Sequence, residues 1–301
     1  MMDILTVFTN KREKETNQSR PERNRERAKK FQKRVIPGFG LTLGITVSML
    51  SVIVLIPLLS LIIYTAKLSW REFLEVVTAK RVLYAFWVSV STSFIASLIN
   101  AVMGLILAWV LVKYEFPGKK IMDGMIELPF ALPTAVAGIA LTHLTTKDGW
   151  IGSFFGRFGI SIAYTKIGII FALVFVGIPF VVRSVQPVLE KLDVSYEEAG
   201  EMIGAGPIYT FFKIIFPEIR PALIGGFTMA FARCLGEYGS VVFIAGNAPY
   251  DTEIAPLLIM SKLQEFDYTS ATSIALVMLV TAFVILLVNS MIQYKAAKKV
   301  V

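Results

Sequence analysis

The stretch VIPGFGLTLGITVSMLSVIVLIPLLSLIIYTA, residues 35–66, contains no charged side chain. A helix crossing a bilayer needs about 20 apolar residues, because the hydrocarbon layer is about 30 Å thick and each residue rises about 1.5 Å. The stretch therefore holds one span with room for tilt, and Pro57 inside it predicts a kink that a membrane bundle tolerates. Immediately before it stands KREKETNQSRPERNRERAKKFQKR, residues 11–34, and 11 of the chain's 30 Lys and Arg precede Val35. Basic charge packed against an apolar run reads as the cytoplasmic flank of a span, not as a nucleic-acid footprint. The flank has mixed signs and one aromatic, Phe31. It cannot bury enough apolar area to fold alone, so residues 1–34 are expected to be a disordered cytoplasmic tail. The apolar run is too long for the core of a cleavable signal peptide.

Composition agrees. Of 301 residues, 55% are hydrophobic and 17% charged, where a soluble domain carries about a quarter charged. Mean hydropathy is +0.66 and the net charge +8. A soluble enzyme, a disordered chain and a disulfide scaffold are all disfavoured. One cysteine, Cys234, allows no internal disulfide or cysteine-cluster metal site. One histidine, His143, removes most histidine-based catalysis and metal binding.

Outward from the first span, LSWREFLEVVTAKR (68–81) combines a Ser69/Glu72 capping box with Trp70, Phe73, Leu74 and Val77 on one helical face. It is either a helix lying in the membrane interface or a loop helix packed on neighbouring spans. Further spans are expected at 82–112, 128–146, 167–189, 218–246 and 268–294, which gives an all-α polytopic membrane protein of about six spans. Six spans place both termini on one side. With the tail inside, the inner segments 1–34, 113–123, 183–220 and 295–301 hold 21 Lys and Arg. The outer segments 67–82, 147–166 and 247–267 hold 8, and Arg233 lies within a span. This asymmetry predicts cytoplasmic termini. The division is then the tail 1–34, a permease domain 35–294 with a cytoplasmic loop 190–217, and a cytoplasmic C-terminus 295–301.

The loop and its continuation read YEEAGEMIGAGPIYTFFKIIFPEIRPAL, residues 196–223. Glu197, Glu198 and Glu201 open a helical stretch, where the helix dipole favours them. Gly204, Gly206 and Pro207 interrupt it, and a short helix over about 207–215 is expected to end at Pro217. Helix, sharp turn, helix is the shape of a knob that docks on another protein. Glu198-Ala199-Gly200, then Gly204, then Ile214-Ile215-Phe216-Pro217 resembles the EAA motif of bacterial ABC importer permeases, with Gly200 in place of Ala and Phe216 in place of Leu.

The resemblance extends over about 35–294 through LPFALPTAVAG (128–138), PFVVRSVQPVLE (179–190), LGEYGSVVFIAGN (235–247) and KLQEFDYTSATSIALVML (262–279). These are similar to the T-type permease subunit of sulfate/thiosulfate ABC transporters. The resemblance implies a multi-pass protein of the bacterial inner membrane that works with a second homologous permease subunit. It also implies a dimer of ATP-binding subunits and an extracytoplasmic sulfate- or thiosulfate-binding protein. Carried over by position, Glu198, Ala199, Gly200 and Gly204 would form the coupling helix that sits in a groove of the ATPase. Ile214, Phe216 and Pro217 would anchor its return to the membrane. A Walker A pattern, G-x4-G-K-[ST], is absent from the sequence. ATP and Mg are therefore expected on the partner, with no cofactor, metal or catalytic residue on this chain.

Arg233 and Glu237, four residues apart, are expected inside the fifth span. Charge at that depth faces a bundle interior or a cavity. The two residues are either an ion pair that orients helices or a gate on the translocation pathway. Pro129 and Pro133 either kink a helix or break it so that free backbone groups line a cavity. EFDY (265–268) and loop 147–166 are candidate docking points for a binding protein, or aromatic anchors of the interface. Molybdate or tungstate import is the alternative within this class, since these ions share the tetrahedral dianion shape. A membrane-embedded enzyme or assembly factor would need a cluster of ionisable groups, and the spans offer Arg233, Glu237 and His143.

Overall fold

A computed structural model of the chain describes residues 39–192, 198, 200, 202 and 204–297. The expected tail 1–34, Ala199 and the last four residues lie outside the described residues, and so do Glu197 and Glu201. Among the described residues all regular structure is helical. Five helices are long and apolar enough to cross a membrane, or six when one bent pair counts as a span.

The first, α1 (Phe39–Thr65), has a mean hydropathy of 2.6. The irregularity expected at Pro57 takes the form of a π-helical turn at Ser51–Leu55. That turn is centred on Ile53, four residues before the proline. Proline has no N–H for that carbonyl and its ring crowds it, and widening the turn relieves the clash. The chain divides into two units after Ser60, and every helix from α2 onward belongs to the second.

A short helix, α2 (Trp70–Val77), starts at the predicted capping box. Glu72 N–H donates to Ser69 Oγ (3.3 Å), and Ser69 N–H donates back to Glu72 Oε2 (2.8 Å). Phe73, Val76 and Val77 are half-buried while Trp70 and Leu74 stay exposed. One side of this helix packs on the span that follows it and on the last helix of the chain, and the other is exposed.

The interior is built on α3 (Lys80–Lys113), α7 (Lys166–Lys191) and α8 (Pro207–Leu235). At 34 residues α3 is about 51 Å long, well beyond the hydrocarbon thickness, so its ends emerge on both sides. Its buried stripe runs Ala85, Ser89, Ser93, Ala96, Asn100, Gly104 and Ala108. Lipid tails are as apolar as leucine, so hydrophobicity does not drive helices together in a bilayer. Small side chains do so by letting backbones approach. Val181, Val182, Val185 and Leu189 of α7 meet Ile215, Ile219 and Ala230 of α8 against this stripe. A second cluster joins Val88 and Ala96 of α3 to Ile169, Leu173 and Cys234.

The span expected at 128–146, with Pro129 and Pro133 left as kink or break, takes the form of α4 (Lys119–Ala131) and α5 (Thr134–Thr145), bent by 114°. The break falls at Leu132-Pro133. Leu132 is held extended (ψ 135°), as a residue before proline must be, and Pro133 opens α5 at φ −56°. Pro129 is accommodated inside α4. Outer loop 147–166 contains α6 (Trp150–Gly156).

Two other boundaries differ from expectation. The helix that opens at Pro207 does not stop at Pro217. It passes through Pro217 and Pro221 to Leu235, again with a π turn, Phe211–Ile215, centred four residues before the proline. The span expected to reach residue 246 ends at Leu235, where Gly236 begins a turn. A single-turn helix α9 (Val241–Ile244) follows. The segment between spans also folds a helix, α10 (Ala255–Gln264), which packs on the last helix, α11 (Tyr268–Ala297).

Candidate functional site

The loop before α8 forms a knob closed by glycine chemistry. Residues 198, 200 and 202 are helical. Gly204 then adopts a left-handed conformation (φ +74°), and Ala205 N–H donates to Gly200 O at 2.9 Å. This six-to-one bond is a Schellman stop, in which the left-handed residue is cheap only as glycine. Gly206 is extended and Pro207 takes the first helical position, so α8 restarts two residues later. Gly200 also serves a second end. A Cβ there would stand 2.6 Å from Thr210 Oγ1, so the two arms close on each other only without a side chain.

The outer skin of the knob is apolar. Met202 is 88% exposed and Ile208 75%, and Tyr209 and Phe212 are exposed beside them, with Glu198 exposed at the near end. The inner skin ties the knob to the bundle. Phe211 meets Trp109 of α3 edge-to-face (5.1 Å), and Ile215 is buried in the α3–α7–α8 core. Of the three residues expected to anchor the return, Ile214 and Phe216 are half-buried and Pro217 is exposed. Ile215 is the fully buried side chain of this turn, and Phe211 and Phe216 both pack half-buried against the same core.

A second constellation forms where the broken span meets the turn after α8. Gly138 of α5 lies against the backbone of Ser240, with a built Cβ only 2.5 Å from Ser240 O. Gly239 lies against the Thr134 side chain, with the Ala135 backbone just behind it. LPTAVAG and LGEYGS, far apart in sequence, are thus packed backbone to backbone. Arg233 Nη1, in the last turn of α8, pairs with Glu237 Oε2 just past the helix end, where the sequence placed both inside the span. Glu237 is buried, and its other oxygen accepts from Ser240 N–H (2.9 Å) and Ser240 Oγ (3.1 Å). The carboxylate therefore fixes the turn and the start of α9, while about a third of the Arg233 side chain stays exposed. Pro133 belongs to this neighbourhood. Pro129 does not: the adjacent Phe130 meets Phe180 of α7 edge-to-face at 5.2 Å.

Three features escaped the sequence. Arg81 at the start of α3 makes a two-pronged pair with buried Glu253, Nε to Oε2 at 2.8 Å and Nη2 to Oε1 at 2.7 Å. Arg183 of α7 bonds Asp123 (2.8 Å) and Glu127 (2.7 Å), which pins α4 to α7. Its position as a lone charge in an apolar helix was the available signal. The third is Asn100, fully buried against Gly177 with neither side-chain polar atom hydrogen-bonded. EFDY forms the turn between α10 and α11. Burial pushes the Asp267 carboxyl up, yet bonds from Ser270 and the charge of Lys262 hold it below its ordinary value. Cys234 is buried, its thiol donating to Leu173 O. His143 is exposed near the end of α5.

Residues 100–300 match the family described as "Binding-protein-dependent transport system inner membrane component". The chain is 44% identical over 269 residues to the sulfate transport system permease protein CysT of Escherichia coli (strain K12), covering 89% of this chain and 97% of that one. It is 42% identical over 249 residues to the CysT protein of Synechocystis sp. (strain ATCC 27184 / PCC 6803 / Kazusa), covering 83% and 87%. Among solved structures, a bacterial ABC transporter involved in the import of the acidic polysaccharide alginate superposes with a TM-score of 0.72 at 15% identity, over 88% of this chain and 99% of that chain. The bacterial alginate ABC transporter in complex with an alginate pentasaccharide-bound periplasmic protein gives 0.70 at 17% identity, over 83% and 92%.

Proposed function

This chain belongs to the family of binding-protein-dependent transport system inner membrane components, and we propose that it is the permease subunit importing sulfate or thiosulfate into a bacterial cell, driven by a separate ATPase. The observation that carries the coupling part of this reading is the exposed apolar knob. Met202, Ile208, Tyr209 and Phe212 stand outside a turn fixed by Gly200, Gly204 and Gly206. A contiguous apolar surface rimmed by charge marks a protein interface, and Glu198 supplies the rim. The second arm of the knob is the first turn of α8, so force applied to it reaches Arg233 along one helix, and Glu237 and the turn against α5 at that helix's end. In this reading the Glu198–Gly204 segment enters the ATPase groove. A closing ATPase dimer then tilts α8, and the contact of the 235–240 turn with broken helix α5 opens or shuts the path.

The substrate part rests on the sulfate permeases that the chain resembles at 44% and 42% identity. The Arg233 guanidinium is the candidate contact for a passing dianion. Neutralised by Glu237, it would hold an anion only briefly, which suits an importer whose selectivity resides in an external binding protein. A second permease subunit, an ATPase dimer and that binding protein complete the assembly, with both termini of this chain in the cytoplasm.

The test is uptake of labelled sulfate by cells that lack this chain and are complemented with it, with molybdate as competitor. Restored sulfate uptake that excess thiosulfate inhibits and molybdate does not is expected. Restored molybdate uptake without sulfate uptake would overturn the substrate. Glu198→Lys is expected to lower both ATPase co-purification and uptake about tenfold or more, because a reversed rim charge repels what it once attracted. Unchanged co-purification would refute the knob's role.

A further inference from the structure

A cavity of about 760 Å³ lies between the end of α5, α6 and the chain leading into α7. It has no part in the transport reading. Its charged lining residues are Lys147 and Arg157, and no Asp or Glu lines it. Neither cation has a partner among the described residues. Its walls are fixed by the backbone. Ser153 N–H donates to Gly149 O, Ile160 N–H to Phe155 O, and Tyr164 N–H reaches across to Ile244 O at 2.8 Å.

Three hydroxyls on the wall have already spent their hydrogens. Thr145 donates to Leu141 O (2.8 Å), Thr146 to His143 O (3.0 Å) and Ser153 to Trp150 O (3.1 Å). What they still offer are oxygen lone pairs. A bare oxyanion engages the two cations but leaves the lone pairs of Thr146 and Ser153 unused. A phosphodiester that carries its own hydroxyl groups uses everything present: the phosphate takes the cations and its alcohols donate to Thr146 and Ser153.

Aromatic side chains close in sequence to the lining residues, though not part of the lining, name the medium. Trp150 is 86% exposed, Phe158 69% and Phe154 55%, and the phenyl rings stack edge-to-face at 5.7 Å. Exposed aromatic rings at the ends of membrane helices mark the headgroup level. The cavity sits there, where the bent pair α4–α5 ends and span α7 begins. We propose that this cavity binds the headgroup of an anionic glycerophospholipid, of the phosphatidylglycerol type. Lys147 and Arg157 hold the phosphodiester, and the α6 aromatics lie along its acyl chains.

The probe is phosphatidylglycerol. The full-length protein is reconstituted in discs of phosphatidylethanolamine and phosphatidylglycerol, re-extracted, and its retained lipid measured by native mass spectrometry. With Lys147→Gln and Arg157→Gln together, retained phosphatidylglycerol is expected to fall about 25-fold, roughly fivefold per cation, with phosphatidylethanolamine unchanged. The exchange variant Lys147→Arg with Arg157→Lys keeps both charges and is expected to retain the lipid. Equal retention by wild type and the double Gln variant overturns the proposal, as does loss of lipid from the charge-preserving exchange. Displacement of the lipid by millimolar sulfate would assign the cavity to the free oxyanion instead and likewise overturn it.

Discussion

Glu253 is 2% exposed and paired with Arg81, whose side chain is one-third in solvent. The two ends of this pair are therefore unequal. Removing the arginine strands a carboxylate where water does not reach, while removing the carboxylate leaves an arginine that water solvates. Arg81→Gln is expected to cost about 3 kcal/mol, the low end for a broken buried pair. Glu253→Gln should cost about 1 kcal/mol, the size of an ordinary hydrogen bond. Thermal unfolding of the detergent-solubilised protein ranks the two, and a lower melting temperature for Glu253→Gln would contradict the asymmetry. Residue-scale reasoning from sequence found Arg233 and Glu237 because their spacing brings them together on any helix. It had no means of pairing Arg81 with Glu253, which are 172 positions apart.

At the scale of elements, α2 depends on its cap. It has eight residues, too few to be stable in isolation. Bonds from the Ser69 backbone and hydroxyl hold the Glu72 carboxyl below its ordinary value of 4.5. A depressed folded value means that the cap's contribution is complete above the unfolded pKa and is lost as pH falls through the folded one. Amide protection over 70–77, taken relative to the intrinsic exchange rate at each pH, is expected to fall on acidification below about pH 4. Glu72→Gln keeps the box geometry and should remove the pH dependence, and persistent pH dependence in that variant would show another group to be responsible. The break in the third span belongs to this scale too. Pro133 was visible in the sequence, but kink and break remained open because proline alone permits both. The 114° bend is decided by what α5 packs on. Gly138 meets the backbone of Ser240, where no side chain can move aside. Gly138→Ala is therefore expected to cost about 1–3 kcal/mol and to abolish uptake. Gly156→Ala, with nothing within 4 Å, should leave uptake unchanged.

For the whole molecule, the excess of Lys and Arg on one set of loops predicts an orientation that single cysteines can read. Cys234 is the chain's one cysteine and is buried, so the background is quiet. Ser161→Cys is expected to react with a membrane-impermeant maleimide in intact spheroplasts, and Lys120→Cys only after permeabilisation. The opposite pattern would invert the topology. It would also place the knob on the wrong side for an ATPase and the lipid cavity in the other leaflet.

The sequence by itself determined that the chain is a helical membrane bundle, roughly where its spans lie, and that a glycine-and-proline turn interrupts the loop before α8. Those properties stem from apolar length, charge segregation and the φ limits of Gly and Pro, all of which act locally. Tertiary structure decided the rest. It carried α8 through Pro217, because a π turn, the burial of Ile215 and the packing of Phe211 and Phe216 on the core outweigh one missing hydrogen bond. It ended the fifth span at Leu235, so that Glu237 caps a turn. It set LPTAVAG against LGEYGS, and Arg81 on Glu253. Such contacts join positions with no periodic relation along the chain, and they exist only once helix packing has chosen which small residues face each other.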